Sequence, residues 1–260
     1  MLSSGGSTIV RASMALVFAA ILSMGVAAQD NKVKNIVLVH GAFADGSGWQ
    51  GVFKILTERG YNVTVVQNPC TSLDDDVAAV NRALEKQDGP VILVGHSWAG
   101  AVITQAGVSP KVAGLVYIDA FQPDLGESAL TMGTKEPPAP ENGILNPDAN
   151  GFLYYDKAKF HGGFCADLSA SEAAFMFASQ IPINIKGFAA PLTQVAWKTK
   201  PNWAVLGTED KSISPKTLRW MYARSGAKVT EIKGASHVSF ISHPKEVADV
   251  IELAVKGVAK

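Results

Sequence analysis

Cysteine is nearly missing from this 260-residue chain: Cys70 and Cys165 are the only two, too few for the disulfide framework of a small stapled domain. A charge excess is missing as well. The 23 basic and 23 acidic side chains cancel, and no basic stripe is visible, which argues against a nucleic-acid partner. Histidine is scarce, at five residues. No pair of histidines and acids has the short helical spacing of a zinc site, so neither a metal nor another cofactor is implied. There is no internal repeat, and no apolar run reaches the roughly 20 residues that span a bilayer. What is present is a chain that is 47% hydrophobic and long enough for one sizeable core.

The N-terminal segment reads as separate from that core. Arg11 precedes the apolar run 12–22, and Val26-Ala27-Ala28 offers a small-residue cleavage site. This is the pattern of a secretory signal peptide over 1–28. Ser23 and Gly25 interrupt the apolar stretch, so stable membrane insertion is not expected. The expected location is periplasmic or secreted, where a disulfide is permitted. One Cys70–Cys165 bond and two free thiols both fit the sequence.

From residue 35 onward, apolar strand-like runs alternate with helical patterns, as in a parallel sheet covered on both faces. Strands are expected at 35–39, 61–66, 91–95, 112–118, 203–206 and 228–232, giving six. Helices are expected at 50–59, 73–87, 98–106 and from about Pro244. Ser72 with Asp75 resembles a capping box, and Asp74, Asp75 and Asp76 occupy the first helical turn, where free amides and the dipole favour negative charge. Between Gln122 and Ala196 the pattern gives way to Pro-, Gly- and Asn-rich turns with aromatic residues. This segment is read as a cap insertion, 122–196, with short helices at 169–179 and 187–197. Residues 29–121 and 197–260 would form the core.

Val91-Ile92-Leu93-Val94-Gly95-His96-Ser97-Trp98-Ala99-Gly100 carries the chemistry. An apolar strand runs into Gly-x-Ser-x-Gly and then into a helix, the setting in which a sharp turn presents a serine hydroxyl as nucleophile. Such a serine needs a neutral imidazole to take its proton and a carboxylate to orient that imidazole. Downstream, Asp210 ends the strand-like run from Trp203, and His237 follows the strand-like run 228–232. They are the candidate acid and base. Asp119, at the end of the strand 112–118, is the rival acid. Backbone donors for a developing oxyanion are expected from Trp98 and from Ala42, in the glycine-bearing loop after strand 35–39. His40 is read as a brace for that loop.

These motifs together resemble the α/β-hydrolase superfamily, in its esterase and hydroxynitrile-lyase branch, which includes plant methylesterases. The matching pieces are His-Gly-Ala-Phe at 40–43 with Trp49, Gly-His-Ser-Trp-Ala-Gly at 95–100, Gly-Thr-Glu-Asp at 207–210 and Gly-Ala-Ser-His at 234–237. The resemblance implies an α/β-hydrolase fold with a mostly parallel six-stranded sheet, a triad of Ser97, Asp210 and His237, and oxyanion amides on Ala42 and Trp98. The lyases of that branch resemble one another in a threonine after the strand-end histidine and a lysine after the catalytic one. This chain has Gly41 and Val238 there, which leaves hydrolysis as the expectation.

The expected partner is a small to medium apolar carboxylic ester, cleaved through an acyl-enzyme, with amides and lactones as variants. Phe43, Phe121, Phe175 and Phe188 are candidate pocket residues. The alternatives are hydroxynitrile-lyase-like carbon–carbon cleavage and a small-molecule-binding relative with negligible turnover. N-terminal sequencing of the exported protein is expected to begin near Gln29; a start at Met1 would remove the signal-peptide reading.

Overall fold

The computed structural model describes residues 1–2 and 33–259. The expected signal peptide and its cleavage site therefore lie outside the described residues, apart from Met1 and Leu2. The remainder, from residue 33, forms one body.

Six runs become parallel strands, five of them rich in β-branched residues: β1 (Asn35–Val39), β2 (Asn62–Val66), β3 (Val91–His96), β4 (Val112–Ile118), and, past the insertion, the apolar β7 (Asn202–Gly207) and β8 (Lys228–Ile232). Their order is β2-β1-β3-β4-β7-β8, and every pairing is parallel. The inner strands β1, β3 and β7 are buried along their whole length, whereas the edge strand β8 is exposed at four of its five residues. Continuous apolar runs thus mark the centre.

The crossovers are α1 (Gln50–Glu58), α2 (Leu73–Glu85), α3 (Ala99–Ala106) and, later, α8 (Pro215–Ser225). The chain steps from β1 outward to β2, then back across β1 to β3 and onward. Right-handed crossovers therefore put α1 on one face and α2, α3 and α8 on the other. After β8 come the short α9 (Ser239–Ser242) and the last helix, α10 (Pro244–Val258), which packs on α1, while α2 packs on α3. The reversal of direction opens a crevice beyond the ends of β1 and β3, where ligands of such sheets bind.

Between β4 and β7 the chain leaves the sheet. This segment carries α4 (Ala129–Gly133), β5 (Phe152–Leu153), α5 (Lys157–Phe164), α6 (Ala170–Ser179), β6 (Ile183–Asn184) and α7 (Ile185–Phe188); β5 and β6 pair antiparallel. Helix 169–179 forms almost as expected, with a capping box between Ser169 and Glu172. The helix expected over 187–197 does not. It stops at Phe188, and only a single 3-10 turn reappears at Ala196–Lys198, because Pro191 has no amide hydrogen to continue the ladder. At α2, Ser72 does accept from the Asp75 amide, but the Asp75 carboxylate bonds the Ser72 and Thr71 hydroxyls instead of closing the box. Cys70 and Cys165 are buried free thiols.

The elbow after β3 leaves no room for a side chain at Gly100, where an added β-carbon would lie 1.9 Å from the Phe121 carbonyl oxygen. By contrast, one at Gly162 within α5 would meet nothing within 4 Å. Gly100→Ala is accordingly expected to lower stability by about 1–3 kcal/mol or more. Gly162→Ala is expected to raise it by about 0.5–1 kcal/mol through backbone entropy. Urea midpoints compare the two; a Gly100→Ala protein as stable as the parent would mean that the elbow is not packed in this way.

Candidate active site

Ser97 follows β3 with φ at 53°, in the left-handed region. Its amide donates to the Ile118 carbonyl at 3.1 Å, and its own carbonyl accepts from Gly100 at 3.0 Å and Phe121 at 3.1 Å. The turn is thus pinned on both sides, and the hydroxyl points where the backbone sends it. The residue is 7% exposed, open on the cavity side alone.

His237 and Asp210 meet it there. Ser97 Oγ lies 2.8 Å from His237 Nε2, and His237 Nδ1 lies 2.7 Å from Asp210 Oδ2. With the imidazole neutral, Nδ1–H donates to the carboxylate and Nε2 accepts from the hydroxyl. Asp210 Oδ1 accepts from the Ser212 amide at 2.8 Å and the Ile213 amide at 2.9 Å, so both carboxylate oxygens are held. His96 Nε2–H donates to the His237 carbonyl at 2.9 Å, fixing the backbone of the histidine loop from the elbow itself.

Asp119 is also brought close, but to different partners. It accepts from the Gly207 amide at 2.6 Å and the Ser239 hydroxyl at 2.5 Å. Of the two acids weighed from the sequence, Asp210 bonds the imidazole. Burial, and then the neighbouring Asp210 charge, push the Asp119 carboxyl up to about 7.

The three buried histidines are tuned in opposite directions. Burial pulls His237 down, but the Asp210 charge and hydrogen bond, helped by Asp119, outweigh it and leave its pKa raised. His96 is held well below the ordinary value by burial and then by the His237 charge. His40 is lowered by burial, partly offset by its bond to the Gly41 carbonyl and by nearby acids.

The Ala42 and Trp98 amides have no protein acceptor among the described residues. Both residues line the cavity that also contains Ser97 and His237. It has a volume of about 840 Å3 and a mostly apolar wall that includes Phe43, Phe121, Phe164 and Phe188. Phe175 is not in it. Helix α6 turns Ala173 and Met176 inward and leaves Phe175 62% exposed, beside a separate shallow groove.

Several contributors were not found from the sequence. Phe164 packs edge-on against the His237 ring at 5.1 Å; nothing in its local pattern separates it from ordinary core. Lys135 and Lys211 reach the cavity rim, although no fixed cation was expected there. Each is engaged, Lys211 with Glu209 at 3.3 Å and Lys135 over the Trp220 ring at 4.1 Å. Asp76, read only as one of three acids in a first helical turn, is fully buried behind the elbow and accepts from the Trp98 indole. The usable signal was its phase, since Leu73, Asp76 and Val80 fall on one helix face.

Comparison with known proteins agrees with the fold. Residues 36–250 match the Alpha/beta hydrolase family, and the chain belongs to it. Among curated relatives, a carbendazim hydrolyzing esterase of Nocardioides sp. (strain SG-4G) is 32% identical over 146 residues, covering 51% of this chain and 54% of the relative, so that the chain matches about half of that protein's length. Putative methylesterase 19 of Arabidopsis thaliana is 26% identical, across 86% of this chain and 98% of the relative. Among solved structures, a pyrethroid hydrolase from Sphingobium faniae JZ-2 has the same fold, with a TM-score of 0.72 and 22% identity, over 86% of this chain and 98% of that one.

The electrostatic pattern is open to direct measurement. A histidine whose pKa is raised stays protonated to higher pH, so the His237 ring is expected to titrate above about 6.5 in imidazole NMR, while His40 and His96 remain neutral there. Asp210→Asn removes the charge and the bond that oppose burial, so His237 is expected to fall below the ordinary value. A His237 midpoint unmoved by Asp210→Asn would mean that the carboxylate does not act on the ring.

Proposed function

We propose that this protein is a serine hydrolase of small to medium apolar carboxylic esters, working through an acyl-enzyme. The observation that carries the reading is the hydrogen-bonded chain Ser97–His237–Asp210 at the wall of a large apolar cavity. Relatives named as esterases support the reaction class.

An ester enters with its carbonyl carbon at Ser97 Oγ and its carbonyl oxygen toward the Ala42 and Trp98 amides. His237 Nε2 takes the hydroxyl proton as Oγ attacks, and the imidazolium formed is stabilised by Asp210. Negative charge gathers on the former carbonyl oxygen, where two preorganised N–H donors receive it; loss of one such donor elsewhere costs about 3–4 kcal/mol. The tetrahedral adduct collapses, the carbon–oxygen bond to the alcohol breaks, and His237 returns its proton to the departing alkoxide. Water then repeats the cycle on the acyl-serine, giving up a proton to His237 and leaving as part of the carboxylic acid.

The wall supports an apolar acyl or alcohol group, held by area burial. The rim lysines already have partners and offer little to a charged substrate. Val238, next to His237, is fully buried; it supplies no cation for a cyanide leaving group, which favours hydrolysis over cyanohydrin cleavage.

Short-chain p-nitrophenyl esters are expected to give a phenol burst followed by steady turnover. Ser97→Ala is expected to lower kcat by about 10⁵–10⁶-fold. Equal rates from the parent and Ser97→Ala would sink the mechanism.

A further inference from the structure

Asp76 has no part in the proton transfers above, yet it is 0% exposed and its carboxylate is fully engaged behind the elbow. Its Oδ2 accepts from the Trp98 indole Nε1 at 2.7 Å and from Asn68 Nδ2 at 3.0 Å. Its Oδ1 accepts from the Cys70 amide at 2.8 Å. A helix-dipole role would call for none of these bonds, and Asp74 in the same turn is exposed. Burying a carboxylate is costly unless it is bonded in this way, so the site is built around it.

The bonds lead to both oxyanion donors. Trp98 supplies one amide, and its side chain is anchored on Asp76 Oδ2. The other branch runs through Asn68, whose Nδ2 also donates to the His40 carbonyl at 3.3 Å and whose amide donates to His40 Nε2 at 3.2 Å. Since Nε2 accepts, His40 Nδ1 carries the proton and donates to the Gly41 carbonyl at 2.8 Å. That carbonyl and the Ala42 N–H belong to one peptide plane. Holding the oxygen fixes the direction of the hydrogen, which points the opposite way in a trans peptide.

We propose that Asp76 is a positioning residue for the oxyanion hole, fixing the Trp98 amide through the indole and the Ala42 amide through Asn68 and His40. This role rests on the serine-esterase reading. It differs from a general contribution to folding in what it touches: the transition state gains from correctly aimed donors, and the ground state gains little.

The test uses the full-length protein with Asp76→Asn, Trp98→Phe and, for the same charge lost from the same helical turn, Asp74→Asn. Asn at 76 keeps the volume, but its amide nitrogen meets either the Cys70 amide or both the Trp98 indole and Asn68 Nδ2, and the neutral oxygen that remains is a weaker acceptor than a carboxylate. Phe at 98 removes the indole N–H and keeps the backbone amide. Folded active sites are counted by fluorophosphonate titration, and kcat, KM and the affinity for phenylboronic acid, which forms a tetrahedral adduct on serine, are then measured.

Asp76→Asn and Trp98→Phe are each expected to lower kcat by about 10–100-fold per titrated site, with KM within about threefold and boronate affinity falling in step with kcat. Asp74→Asn is expected to match the parent. The double variant is expected to be no worse than the poorer single one, because the Asp76–Trp98 bond that Trp98→Phe removes is already disturbed by Asp76→Asn. Should Asp76→Asn fail to fold, Trp98→Phe carries the test. Titrated variants that keep kcat and boronate affinity within about twofold of the parent would overturn the positioning role alone. A parent that neither turns over esters nor takes up phenylboronic acid would overturn the esterase reading, and this role with it.

Discussion

The structure depends on a backbone conformation that L-residues avoid. Phe43, Cys70, Ser97 and Asp119 have φ of 59°, 56°, 53° and 45°, and they lie just beyond the C-terminal ends of β1, β2, β3 and β4 respectively. Each such residue costs on the order of 1–2 kcal/mol, and four in a row along one sheet edge are a concentrated strain. At Ser97 the surroundings hold the strained turn in place. The Ser97 carbonyl accepts from both Gly100 and Phe121, and Gly100 lies so close to the Phe121 carbonyl that any β-carbon would overlap it. The turns after β3 and β4 therefore interlock, and neither can relax without unpacking the other. The place of the Ser97 Cβ is consequently a property of the sheet, and the hydroxyl it carries is held by His237 Nε2 at 2.8 Å.

Electrostatics at this edge follows from the same crowding. The chain carries no net charge, but Asp76, Asp119 and Asp210 are buried, and Asp210 also lines the cavity. Each is held by backbone or side-chain donors, as burial of a carboxylate demands. The Asp119 carboxyl is raised first by its burial and then by the neighbouring Asp210 charge. Among the three buried histidines, His237 alone has a carboxylate on its ring, and it alone is raised. His40 and His96 use neutral rings to hold backbone carbonyls. One residue type thus serves as proposed base and as brace, with the neighbouring acid deciding which.

Much of this was legible in the sequence because it is written in local order. Apolar β-branched runs interrupted by helical periodicity gave the parallel sheet, and the strand-to-helix context of Gly95–Gly100 pointed to Ser97. The acid and histidine could be sought in chain order after it, and Asp210, not Asp119, proves to bond the imidazole. What was not legible depends on facing and on distant packing. Asp76 looked like a charge at a helix start until its buried face was known. Phe175 was placed in the pocket by composition, although one residue's shift in helix phase turns it to solvent. The unformed helix after Phe188 was in fact marked by Pro191, but an apolar run around that proline masked the break. His96 and Phe164 meet His237 across 141 and 73 positions of sequence, separations that no local pattern reports.

The segment 122–196 does more than line a cavity, because it is bonded to the loops beyond β1, β2, β7 and β8. The Phe43 amide donates to the Ile181 carbonyl at 2.8 Å, and the Asn184 amide donates to the Cys70 carbonyl at 2.9 Å. Ser212 Oγ, beside Asp210, donates to the Gly163 carbonyl at 2.9 Å. Asp167 takes both the amide and the hydroxyl of Ser236, at 3.1 and 2.5 Å, immediately before His237. The loops that carry Ala42, Asp210 and His237 are therefore all tied to the segment that supplies part of the cavity wall. Wall side chains that carry no such bond, such as Leu130 and Ile144, are free to set affinity for the acyl or alcohol group. A change at Asp167 acts instead on the geometry of the proposed base, since a displacement of about 1 Å at a reacting group is enough to cost about 100-fold in rate. Substrate range and rate are thus separable in this fold only at the residues that line the cavity without tethering it.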